Sequence, residues 1–541
     1  MQPQYTEQSP PFWQRHRKGI IIISVLFLVF AAGGFFLYNS AEKMLEDRFL
    51  QAIDEPLGPD REWVYDDIDV GIFPPRLTIY GLKIRNLVPF EDQRLEREAD
   101  AVRDFRAEQI EVKSVGFGDL IRSAELHIGS VMVHSPEIAV LFRPTTDIDF
   151  QNGGDQVLEK ITVSELEIIN GNIDVFAYRA DQESVADIKG MNLFIDDFTY
   201  QDSNRLLRDW APYFSVQLES LSAKFPDETY QVKIGQTSYD SNDQKLRINN
   251  GKLMPLLSPQ ELPEKIGEEV DHFDIESGAI EIHGVDADSW IESRLLHADY
   301  ATLDSLQLRI SRDKNYPDKE RTKRPLPAVM LKNFPYSVAL DSIRWTNGLI
   351  SYRQWKEGQD QYGEVTFNEI DLAMKNIQNR DESEPVTAVA KTKLMDKSDF
   401  EVDFSFMMDD SGKHDISGRL SSMDLTAFNS VFSPLAFMKI QDDAVLDYLE
   451  FDFRANDEKA TGNVTMIYDG LSVRKLNEDT LEESTSTRLV SFVANLTSVR
   501  SDNDEDDPRI GEIDLERDKE RSMFTYWWHT LREGLKESVG M

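Results

Sequence analysis

Three stretches of this sequence place apolar residues at the same offsets, and that repeat limits what the chain can fold into. In Ile161–Val175 they are Ile161, Val163, Leu166, Ile168, Ile173 and Val175. In Leu126–Val140 they are Leu126, Ile128, Val131, Val133, Ile138 and Val140. In Val338–Tyr352 they are Val338, Leu340, Ile343, Trp345, Ile350 and Tyr352. Alternation at period two marks a strand with one dry face. Gly171, Pro136 and Gly348, each just before the last pair, read as breaks where the chain turns into another strand. Partial copies stand at Val216–Pro226 and Phe273–Ile282. A unit with a single apolar face cannot bury it alone, so the copies predict a long stack of strands.

The 541 residues suffice for several domains or one elongated repetitive one. A hydrophobic content of 40% supports folding despite a net charge of −39. That charge repels phosphate backbones, which excludes a nucleic-acid role, and it reads as a solvated outer face. With no cysteine, neither a disulfide nor a thiolate metal site is possible.

Taken in order, residues 1–18 are a polar tail ending in Arg15, His16, Arg17 and Lys18. Residues 19–38 carry no charge and are long enough to cross a bilayer as a helix. The basic cluster ahead of them predicts a cytoplasmic N-terminus, and so a single-pass signal anchor with the bulk of the chain on the far side. Ala41–Ile53 reads as an amphipathic helix, and the charged stretch 89–107 as a loop or short helix. Residues 39–311 form the first part of the strand stack, with short helices at Asn204–Trp210 and Ala287–Leu296. Residues 312–330, basic and Pro-containing, read as a linker or long loop, solvated or touching anionic headgroups. Strands return over 331–500, interrupted by a helical turn at Leu425–Phe432. Residues 501–541 hold an acidic loop and an aromatic helix, Arg521–Val539.

No motif for chemistry is present. There is no phosphate loop, His-Glu-x-x-His or Gly-x-Ser-x-Gly. The acidic run Asp502–Asp507 lacks the glycine and the glutamate of a calcium loop, Ile513 standing at the twelfth position. Asp196-Asp197, Asp409-Asp410 and Asp442-Asp443 are neighbours in sequence, which a strand would point to opposite faces, so turn chemistry accounts for them better than acid–base work. The reading is of a protein that is not an enzyme and needs no cofactor or metal.

Several segments resemble the AsmA-like family of bacterial envelope proteins. Ile68–Ile84 (IDVGIFPPRLTIYGLKI), following the apolar segment, is similar to that family's first strand pair. Leu120–Leu141 resembles its recurring strand, Pro-Glu break and strand, and Asn456–Val473 its C-terminal element with Tyr-Asp-Gly-Leu. Arg517–Gly540 is similar to the ending of shorter members. The resemblance implies a mostly β fold: a single transmembrane helix, then an elongated, curled antiparallel sheet forming a hydrophobic groove, with a few short helices and a C-terminal helix. It also implies an inner-membrane protein with its bulk in the periplasm, akin in architecture to bridge-like lipid transfer proteins. Its partners would be phospholipids and outer-membrane assembly components. The residues expected to line the groove are Ile128, Val131, Val133, Ile138, Val140, Ile161, Val163, Leu166, Ile168, Ile173, Val175, Val338, Leu340, Ile343, Trp345 and Ile350. Alternation fits the core of a closed sandwich equally well, which suits a scaffold that carries no lipid. Tyr526, Trp527 and Trp528 are candidates for docking on a partner or a membrane, or for a helix that merely caps the last strand.

Overall fold

The computed structural model describes residues 61–72, 75–87, 102–116, 125–142, 160–177, 184–201, 207–318, 323–379, 384–478, 480–481 and 499–541. The expected anchor at 19–38 and the amphipathic stretch after it lie outside these. Among the described residues no helix is long and apolar enough to cross a membrane. The chain is mostly β and divides into two compact units. The first takes in the described residues of 1–226, 234–246 and 287–293, the second those of 227–233, 247–286 and 294–541.

In the first unit, β1 (Pro75–Asn86) pairs on one side with the short strands Arg61–Val64 and Asp67–Ile72, and on the other with β2 (Val102–Gly116). β2 thus begins inside the stretch expected as a loop or short helix. Phe105 and Ala107, opposite Ile84 and Leu82, extend the apolar face and outweigh the charge density there. β3 (Glu125–His134) and β4 (Glu137–Phe142) both run antiparallel to β2 and parallel to β5 (Lys160–Ala177). β6 (Ala186–Gln201), β7 (Tyr213–Leu218) and β8 (Ser220–Lys224) continue antiparallel.

The second unit repeats this device. β9 (Leu295–Asp304) and β10 (Gln307–Asp313) lie parallel to β11 (Ser337–Trp355). From β11 the sheet runs antiparallel through β12 (Tyr362–Gln378), β13 (Val386–Leu394), β14 (Ser398–Phe406), β15 (His414–Leu420), β16 (Val445–Ala455), β17 (Lys459–Asp469) and β18 (Ile510–Glu516). Residues 312–330, expected as a linker, fall inside this unit. The strand runs to Asp313 and a helix, α1 (Pro327–Lys332), follows. The helical turn near 425–432 is a 3-10 turn, Leu425–Phe428, running into α2 (Asn429–Ala436), and the C-terminal helix is α3 (Met523–Ser538).

The sheets are therefore mixed, not antiparallel throughout, and the parallel steps explain the repeat. Leu126 lies beside Ile161, Ile128 beside Val163, Val131 beside Leu166 and Val133 beside Ile168, with Ile138 and Val140 beside Ile173 and Val175. Two copies have the same offsets because they are neighbours in register, like on like. The third copy stacks the same way on Leu296, Ala298, Ala301, Leu303, Leu308 and Ile310. That fourth copy is hidden in the sequence by its two alanines and by Leu306 where the others carry Gly or Pro.

The odd gaps in the repeat have a backbone cause. Val133 to Ile138 is five residues, which in a regular strand would put them on opposite faces. Ser135, Asn170, Ser305 and Asn347 stand at equivalent positions of the four copies, all in the left-handed region (φ 45°, 56°, 55° and 54°). A left-handed residue bends a strand and shifts its side-chain phase, so both pairs face the same way. A second row accounts for the three-residue gap. Ser114 lies opposite Gly129, Asp197 opposite Ser164 and Asn376 opposite Asp341, with φ of 57°, 56° and 60°. Each rung thus has three arms and two corners, with an apolar pair on the same face of every arm.

Packed cores occupy part of that face. In the first unit Ile128, Val131, Ile161 and Val163 join Leu77, Ile79, Leu82, Val112, Val115 and Leu126. In the second, Val402, Ile416, Phe451, Phe453, Val464 and Ile513 pack with Leu326 and Tyr526. An adjoining cluster centres on Leu446, Tyr468 and Leu425.

Candidate apolar groove

Of the sixteen residues expected to line a groove, Ile128, Val131, Ile161, Val163 and Trp345 are buried. Val133 and Leu166 flank the core of the first unit. The remaining nine are half-buried: Ile138, Val140, Ile168, Ile173, Val175, Val338, Leu340, Ile343 and Ile350. They belong to none of the packed clusters above. The first arms of the first unit are thus a sealed core, while its later arms hold apolar side chains that stay partly open. The neighbouring strands agree, for Ile188, Leu193, Ile195, Val216 and Leu218 are half-buried too.

Period-two geometry extends the lining in the second unit beyond the residues expected to form it. Leu308 and Ile310 share a face with Arg312, as Ile275 and Phe273 do with Asp271. There the third arm changes from apolar to ionic. Arg312 Nη1 donates to Asp271 at 3.0 Å and its Nε to Glu269, both contacts largely shielded from water. Burial, reinforced by Asp271, pushes the Tyr352 phenol up to about 12. An oily floor ending in a polar rim can hold an amphiphile, tail inward and head at the edge. Trp345 departs from this pattern. Its ring covers the corner, where a Cβ on Gly348 would lie 2.4 Å from it, so it closes the lining locally.

Of the paired aspartates, Asp409-Asp410 and Asp442-Asp443 lie in turns, whereas Asp196-Asp197 lies inside β6. Asp197 is a left-handed corner, and Asp409 accepts the Ser411 amide at 2.9 Å.

The three C-terminal aromatics separate. Ser522 accepts the Thr525 amide at 3.3 Å, which starts α3 as an N-cap. Tyr526 is 2% exposed within the core of the second unit. Trp527 stacks on Phe404 at 5.6 Å and donates Nε1–H to His414 Nε2 at 2.9 Å. Trp528 is 50% exposed. One face of α3 thus caps the sheet and the other is free.

His414 Nε2 accepts from Trp527 and its Nδ1–H donates to the Gly412 carbonyl at 2.8 Å, a geometry that requires the neutral ring. Burial holds it below its ordinary 6.5; Arg517 adds to this, while the Gly412 carbonyl and Asp415 oppose it. A histidine depressed in the folded state binds more protons when unfolded, so its contribution is complete above 6.5 and declines as pH falls below it. Unfolding midpoints measured from pH 7 to pH 5 should fall more steeply for the wild type than for His414→Gln. His529 is also depressed and adds slope of the same sign to both proteins. Equal slopes would show that His414 does not sense pH.

Comparison with protein-family models and with curated proteins finds no match to this chain.

Proposed function

We propose that this is an envelope protein, anchored in the inner membrane by residues 19–38, that carries or shields phospholipid acyl chains on the inward face of its sheet and so contributes to lipid transport to the outer membrane or to that membrane's assembly. The observation that carries the reading is, within each unit, the set of half-buried apolar pairs on the later arms that stay outside the packed cores, with the ionic pair at Arg312 closing the third arm of the second unit. Each methylene of an acyl chain left in water costs about 0.8 kcal/mol. A continuous apolar floor removes most of that cost. The uncharged segment 19–38, its basic flank and the AsmA-like resemblance supply the membrane and the compartment.

A non-transporting scaffold for outer-membrane assembly is the second reading, favoured by the sealed first arms and by the cap that α3 places on the last strands. Gentle extraction of the full chain, followed by mass spectrometry of co-purifying lipid, separates the two. Lipid transport expects phospholipid bound at a fixed stoichiometry. A wild-type protein free of lipid leaves the scaffold.

A further inference from the structure

Two features that the sequence keeps some 200 residues apart come together in the second unit: the basic stretches 312–318 and 323–327, and the C-terminal helix. The Arg324 amide donates to the Lys519 carbonyl at 2.8 Å, Arg517 reaches the Arg324 carbonyl, and Arg521 bonds Asp318 at 3.2 Å. Leu326 and Val329 pack in the cluster that holds Met523 and Trp527. Lys314, Arg521 and Arg532 all act electrostatically on His529, with Asp518 opposing them.

The surface so formed is unlike the rest of the chain. Phe524 and Trp528, one turn apart on α3, are 68% and 50% exposed. Met330, on α1 beside Val329, is 58% exposed. Residues 312–318, 323–327 and 517–536 together hold nine Lys and Arg against five Asp and Glu, in a chain whose net charge is −39. Asp457 and Glu458, which face them, are already occupied by Arg517, Lys323 and Lys519. Exposed aromatics beside a local cationic excess have the composition of a bilayer interface site.

We propose that this face, with Phe524 and Trp528 at its centre, docks on the surface of an anionic phospholipid bilayer. The rings would enter the headgroup layer while the basic stretches meet lipid phosphates. The docking is independent of whether the groove carries lipid, which is read separately from the lipid content of the purified protein.

The test holds the full chain in phosphatidylcholine nanodiscs and floats it with vesicles of phosphatidylcholine alone or with roughly one-third phosphatidylglycerol. Capture by the anionic vesicles only is expected, weakening as salt rises from about 0.1 to about 0.5 M. Phe524→Ser with Trp528→Ser should reduce it at least about tenfold, and Lys314→Glu should also weaken it. Trp528→Tyr should retain it. The substituted rings are solvent-exposed, so an unchanged unfolding midpoint checks that the double variant is folded. Equal capture by both vesicle types, undiminished capture of the double variant, or capture by neither vesicle overturns the proposal. The last of these outcomes would turn attention to a protein partner.

Discussion

Changing Ile168 and Ile173 together to Asp should strip the protein of co-purifying phospholipid while leaving it folded. Both side chains are half-buried on β5, outside the packed core, so water already reaches them and the new carboxylates can stay hydrated. An acyl chain lying on the same floor would have to desolvate those carboxylates, a cost of several kcal/mol. Lipid per protein should therefore fall at least about tenfold, with an unchanged unfolding midpoint. Ile128 provides the contrast. It is 4% exposed in the core of the first unit, and Ile128→Asp should destabilise that unit by about 3–5 kcal/mol, through lost packing and a buried charge together. The two outcomes separate a groove from a core within a single repeat. If the double variant keeps its lipid, the lipid lies elsewhere. If it unfolds as Ile128→Asp does, the later arms are core as well and the closed-sandwich reading stands.

The repeat at Ile161–Val175 made the rungs legible because burial selects side chains at fixed positions along a strand. The direction of stacking was not legible. A parallel and an antiparallel neighbour ask for the same alternation, and only the coincidence of offsets between adjacent copies hints that they lie like on like. The corners were half legible. Gly171, Pro136 and Gly348 mark them, yet the residues that bend are their predecessors Asn170, Ser135 and Asn347, polar side chains that tolerate the left-handed region. Whether an apolar position is floor or core escaped the sequence altogether. Ile128 and Ile138 occupy equivalent alternation positions, but only the first is packed against Leu77, Leu82 and Val112 from β1 and β2. Tyr526, Trp527 and Trp528 teach the same lesson. Helical phase puts the first inside, the second against His414 and the third in water, and a run of three aromatics does not reveal which.

Gly511→Ala should lift the C-terminal helix off the sheet. Gly511 lies on β18, the last strand, where a Cβ would come within 1.8 Å of the Gly534 carbonyl oxygen of α3. That neighbour is backbone and cannot rotate away. Gly534 is the other half of the contact, since a Cβ there would meet the Val464 side chain at 2.7 Å, and Val464 is fully buried. Overpacking of this kind costs about 1–3 kcal/mol where side chains can adjust, and a backbone obstacle places Gly511→Ala at or above the top of that range. Gly534→Ala should cost less, because Val464 and Ile513 can shift slightly. The order of the two in urea midpoints is the check, and equal effects would mean that the helix moves as a body to absorb either methyl. A larger consequence follows for solubility. β18 pairs with β17 on one side, and α3 packs across it with Tyr526, Leu531 and Leu535. With the helix displaced, β18, which among the described residues pairs with β17 alone, offers its outer amides and carbonyls together with Ile510, already 54% exposed. Gly511→Ala should therefore self-associate at concentrations where Gly534→Ala stays dispersed, and proteolysis after Arg521 should run faster in the same order. The close approach of two glycines holds the helix, and the helix in turn protects β18.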